Sequence, residues 1–180
     1  EQYKQMSSVL SMESANDFLL GRRFHHTDWG TGAHSEPNNP AMPIHSGKLG
    51  PNYNTASCVS CHDKNGVSVL PAIGQPLINH VVMIGSDAEG TPHPRWGEQL
   101  SPRATSGDPE GQVLLKGYET ITGQYGDGSQ YSLRKPLYEF VGEDAPSFFS
   151  VRAAQKLVAL GLREAVAEET ILALADPNDR

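Results

Sequence analysis

The sequence predicts a mainly α, loop-rich domain with a small β-hairpin insertion, and three observations support this. Helical spacing marks both ends of the chain. Proline and glycine interrupt the middle repeatedly. One stretch, about 113–140, carries the residue types of paired strands.

The run from Ser14 to Phe24 sets Ala15, Phe18, Leu19 and Arg22 at helical spacing. Pro37, Pro40 and Pro43 then break any regular element, so residues 30–55 read as a long loop. A short helix is expected at Cys58–His62. Residues 66–112 are loop-rich again, apart from the apolar run Leu77–Ile84. Val113, Leu115, Tyr118, Ile121 and Tyr125 suit one strand; Tyr131, Leu133, Leu137 and Tyr138 suit another. Gly126-Asp127-Gly128 between them is a hairpin turn signal. Ser150 is placed to cap a helix running to Gly161, and a further helix is expected from about Glu168 to Ala175, stopped by Pro177. No internal repeat is visible.

Composition narrows the class. A length of 180 residues suits a single domain, 1–180, as a free unit or as part of a larger redox protein or complex. The formal net charge of -7 and the lack of a basic run argue against a nucleic-acid partner. Only 37% of the residues are hydrophobic, which implies long loops and a modest apolar core. No segment approaches the roughly 18 apolar residues of a membrane-spanning helix. The chain opens Glu1-Gln2-Tyr3 with neither a Met nor a signal peptide, so a mature or excised piece is expected.

The chemistry lies in Cys58-Val59-Ser60-Cys61-His62, a C-x-x-C-H motif. Cysteines three apart lie on one side of a helical turn. Their sulfurs can reach the two vinyl groups along one edge of a porphyrin, and the next residue presents its imidazole to the iron. The motif therefore predicts one covalent haem c, held by Cys58 and Cys61, with His62 as the proximal iron ligand. A closed zinc site would need four ligands, and the chain has only these two cysteines. A thioredoxin-like C-x-x-C would need a strand–helix context, whereas a Pro/Gly loop precedes this one. The haem also makes good the shortage of apolar side chains, and the fold expectation becomes a cytochrome-c-like haem domain. Thioether attachment occurs outside the bacterial cytoplasm, so a periplasmic or cell-surface location is expected. An iron-ligating His needs its second ring nitrogen held by an acceptor; the Pro71 carbonyl is a candidate.

The other face of the iron decides function. Met83 and His80 share the apolar run that best suits a haem wall and are the leading distal candidates. Met42 and His45 lie in the loop before the motif and could fold over the haem, His93 sits on a stiff extended loop between Pro92 and Pro94, and His34 is a further candidate. Met6 and Met12 sit in a polar N-terminal stretch, and His25-His26, which follow a helix, read as surface residues suited to a helix C-terminus. At the other end of the chain Asp176, Asn178 and Asp179 offer oxygen ligands for calcium, although such an acidic terminus is more often just solvated.

Several segments occur in an order that resembles the di-haem oxidoreductase family, which is related to the bacterial di-haem cytochrome c peroxidases and to MauG. They are Gly21-Arg22-Arg23-Phe24, Trp29, Leu49-Gly50-Pro51-Asn52-Tyr53-Asn54, the haem motif, Pro92-His93-Pro94 and Gly97-Glu98-Gln99-Leu100. The order continues with Glu110-Gly111, Asp127-Gly128, Tyr131-Ser132-Leu133-Arg134-Lys135-Pro136 and Leu160-Gly161-Leu162-Arg163-Glu164-Ala165, and ends at Ile171–Pro177. Only the haem motif is specific by itself; the shared order covers most of the chain from about residue 18. The family has a second C-x-x-C-H, absent from these 180 residues. It has an Arg in the apolar segment where this chain has Met83, and a Pro-rich stretch where Val151–Lys156 stands. The resemblance therefore implies the fold of one haem domain but not two-haem peroxidase activity.

The functional expectation is electron transfer by a mono-haem c-type domain with a redox partner protein or a fused redox domain. The alternative is a peroxidase-like oxidoreductase domain that needs a second haem. A haem-based gas sensor is a third class.

Overall fold

A computed structural model describes residues 6–8, 10–66 and 68–176. Helix α1 (Met12–His26) extends the expected helix by two residues at each end. The Ser11 hydroxyl accepts the Ser14 N–H at 3.1 Å, satisfying one of the donors a helix start leaves open. Arg23 occupies its last turn, where a cation suits the helix dipole, together with His25 and His26. Thr27, fully buried, ends the helix by donating its hydroxyl to the Arg23 carbonyl at 2.7 Å.

Strand residues (28%) outnumber helical ones (21%), so the mainly α expectation is overturned. Three antiparallel pairs make the difference. Strand β1 (Asn52–Tyr53) pairs with β3 (Arg103–Ala104), β2 (His80–Gly85) with β6 (Phe148–Ala153), and β4 (Gln112–Gln124) with β5 (Gln130–Val141). The β4–β5 hairpin lies where strand chemistry and the Gly-Asp-Gly signal put it, turning with Gly128 at φ +89°. A bulge at Lys116 shifts the register between Leu115 and Gly117.

The helix expected from Ser150 to Gly161 does not form. Its first half is β6, whose Phe149 and Val151 pack against the core while Ser150 and Arg152 are exposed. This period of two is a strand pattern, and β2 alternates in the same way, burying His80, Val82 and Ile84. Only short helices follow, α3 (Leu160–Glu164) and α4 (Glu168–Ala173), after the single-turn α2 (Cys58–Cys61) earlier in the chain.

The core is small: Leu77, Val82, Ile84, Leu100 and Val113 are buried, with Trp96, Tyr138 and Phe149 packed around them. It joins the β2–β6 pair to the root of the β4–β5 hairpin. Next to it the chain carries the haem motif.

Candidate haem attachment site

The motif folds as one helical turn. Ser57 is extended (φ -149°, ψ 154°), and the turn closes where the His62 N–H donates to the Cys58 carbonyl at 3.1 Å. Cys58 is exposed, Cys61 is buried, and both thiols are free. Burial pushes the Cys61 thiol up from its ordinary value, with nearby Arg103 partly opposing the shift.

The His62 ring is held from far along the chain. Its Nδ1 lies 2.9 Å from the Gln155 carbonyl, across a separation of 93 residues. A carbonyl only accepts, so Nδ1 carries the proton and Nε2 keeps its lone pair. That tautomer is the one an iron-ligating imidazole requires. Gln155 thus takes the place expected for Pro71. Sequence proximity suggested Pro71, but the β2–β6 pairing brings residues 153–155 alongside the motif. Ser68 reinforces this contact: its hydroxyl donates to the Cys61 carbonyl at 3.1 Å and accepts the Ala154 N–H at 3.2 Å.

A second set of bonds ties the motif to the start of β2. Asn79, with its amide nitrogen toward Ser60, donates to the Ser60 carbonyl at 3.1 Å. Asn54 donates to the His80 carbonyl at 3.4 Å, and Arg103 donates to the carbonyls of Asn54 and Ile78.

The two leading distal candidates lie on opposite faces of β2. His80 is buried, 3% exposed, and its Nδ1 has no partner; burial lowers its pKa. Met83 is 36% exposed and lines a hollow with Phe148, Phe149 and Arg152. Three residues along a strand and on the other face, it is roughly 10 Å further from the motif end of β2 than His80 is. Among the other candidates, Met6 and Met12 are exposed, His45 packs tilted against Phe24 and edge-on against Trp29 with ring centroids 5.0 Å apart, and His93 stacks on Trp96 at 4.7 Å. Asp176 is exposed, and Asn178 and Asp179 lie outside the described residues, as does Pro177.

The His25-His26 doublet is not the surface feature expected from its sequence position. The His25 ring centroid is 6.2 Å from that of His62, and its Nε2 is buried without a partner. Burial lowers its pKa first, then the His62 and Arg22 charges, with the His62 backbone carbonyl opposing. His26 is 3% exposed and stacks on His34 at 5.0 Å. Its pKa falls to about 4, mainly through burial, then through Arg22. A doublet at a helix end signals charge complementing a dipole; its burial follows from α1 packing on α2, a contact between elements with no sequence signature.

The donor set fits a covalent haem: two free thiols on one turn, an adjacent imidazole with Nε2 free and Nδ1 anchored, and two further imidazoles, His25 and His80, each with an orphaned buried nitrogen. Comparison with protein-family models, curated proteins and solved structures finds no match to this chain. Among the described residues no helix is long and apolar enough to cross a membrane.

Proposed function

We propose that this chain is a c-type haem domain that transfers electrons, working with a redox partner protein or a fused redox domain outside the cytoplasm. The observation that carries the reading is the anchored tautomer of His62 beside two free thiols in C-x-x-C-H spacing. When bound, the haem supplies one-electron chemistry. The protein residues do the rest. The Cys58 and Cys61 thiols would hold the haem through thioether bonds to its vinyl groups. His62 offers Nε2, and the Gln155 carbonyl keeps its ring oriented. A second protein ligand to the iron would favour electron transfer over peroxide turnover. His80 and His25 supply orphaned nitrogens for that role, whereas Met83 faces away from His80.

Acidified organic solvent should leave the haem on the protein, and Cys58→Ala/Cys61→Ala should abolish attachment. The ferric spectrum should be low spin, with either His80→Ala or His25→Ala converting it to high spin. Extractable haem from the intact chain overturns the attachment. Rapid, sustained oxidation of a reducing dye by peroxide and the isolated chain overturns electron transfer in favour of the peroxidase alternative.

A further inference from the structure

After α1 the chain folds back on itself. The Asp28 carboxylate accepts the N–H groups of Gly30 and Thr31 at 2.8 and 2.9 Å, and Asp28 N–H reaches the Ala33 carbonyl at 2.9 Å. Thr27 and His34 then form an isolated antiparallel bridge, and Ser35 N–H donates to the His26 carbonyl at 3.0 Å. This return brings His34 and Glu36 beside the last turn of α1.

His26, His34 and Glu36 each place a ligand atom within 4.8 Å of the other two. The two rings are nearly parallel, 4° apart. Each has its Nδ1 occupied. That of His26 lies 2.7 Å from the Ser35 hydroxyl, and that of His34 lies between the Glu36 backbone N–H (3.1 Å) and carbonyl (3.3 Å). With its proton on Nδ1, directed at the Ser35 hydroxyl in His26 and at the Glu36 carbonyl in His34, either ring leaves Nε2 with a lone pair for a metal, and the His34 Nε2 is buried with no hydrogen-bond partner. Outer hydrogen bonds of this kind orient metal-ligating histidines. Arg22, one turn before His26, pairs with one oxygen of the Glu36 carboxylate and holds it in place.

We propose that His26, His34 and Glu36 form a binding site for a divalent transition-metal ion of the zinc or ferrous type. Two imidazoles and one carboxylate match the borderline character of these ions, not calcium or magnesium, which take oxygen ligands. Three protein ligands leave an open position for water or a small anion, as in exchangeable rather than closed structural sites. The Arg22 guanidinium disfavours a nearby cation, so occupancy depends on the competition for Glu36. The three ligands lie outside the Cys58–His62 motif, so the site stands apart from the haem reading.

The test uses the full chain, cleared of metal by a chelator and titrated with zinc by calorimetry. A parallel titration in the Cys58→Ala/Cys61→Ala background removes the thiols as competing ligands. One zinc per chain should bind in both, with His34→Ala and Glu36→Gln each weakening binding at least tenfold. Ser35→Ala should weaken it less, by about tenfold at most. The far-UV circular dichroism and melting temperature of the variants, read in both backgrounds, should match the corresponding parent chain, which separates loss of the metal site from misfolding. No zinc binding, or binding unchanged by both His34→Ala and Glu36→Gln, overturns the site.

Discussion

At the scale of the residue, Ser68 shows how a small side chain holds a distant anchor. Its hydroxyl joins the Cys61 carbonyl to the Ala154 amide, one residue before the carbonyl that orients His62. Ser68→Ala leaves both partners without that bond, at a cost of about 1–3 kcal/mol. The variant should melt at lower temperature while retaining covalent haem, as thermal denaturation and the absorption spectrum would report. The buried histidines give a second expectation. Burial lowers the pKa of His80, and burial together with Arg22 brings that of His26 to about 4. The unfolded chain titrates these rings near 6.5. Between that value and the folded ones it binds more protons than the native state, so stability is full above about 6.5 and falls as pH drops toward 4. The melting temperature of chelator-treated protein should therefore decline from pH 7 to pH 5. His80→Leu should flatten part of that decline, and an unchanged slope would show that His80 does not carry it.

At the scale of the element, the β4–β5 hairpin divides at its bulge. Before Lys116, Val113 and Leu115 are buried; beyond Tyr118 the strand is largely exposed. Lys135–Glu119 and Lys116–Glu139 pairs, each at 3.6 Å, decorate exposed positions. Leu115, with 0% exposure, should cost about 2–5 kcal/mol when replaced by Ala. Lys135→Ala should cost at most about 1 kcal/mol, because exposed ion pairs contribute little. Urea denaturation of the two variants measures the contrast; equal losses would mean the outer half of the hairpin is as well supported as its root. Gly111 marks the entry to this hairpin. It sits at φ +136°, and an added Cβ would lie 2.5 Å from the Phe140 ring, so Gly111→Ala should destabilise through both strain and overlap.

At the scale of the whole molecule, the β2–β6 pair couples the Cys58–His62 motif to the core. Val151 lies opposite Val82 and packs on the buried cluster, while the strand's continuation delivers Gln155 to His62. Val151→Asp should therefore lower global stability by about 3 kcal/mol, since it places an unpaired charge against the core. It should also reduce the ratio of attached haem to protein, measured by the pyridine haemochrome assay. A destabilised protein with full haem occupancy would separate β6 from the orientation of His62. Much of this organisation was legible in the residues. Cys58, Cys61 and His62 are neighbours in sequence, and their spacing placed both thiols on the single helical turn the structure forms there; the hairpin announces itself through strand-forming residues around Gly126-Asp127-Gly128. The Ser14–Phe24 periodicity likewise located α1 to within two residues. What tertiary structure decided involves partners far apart in the chain. Ser150–Gly161 has an acceptable helix start, yet its first part pairs with β2, because a period-two face that meets Val82 and Ile84 buries more apolar surface than an isolated helix could. Pro71 was the near acceptor for His62, but Gln155 takes that role, and His26 and His34 come together only because the chain reverses after α1. Local spacing encodes covalent geometry and periodicity, whereas the acceptor for an imidazole, the burial of a helix end and the pairing of strands depend on which distant surfaces exclude water together.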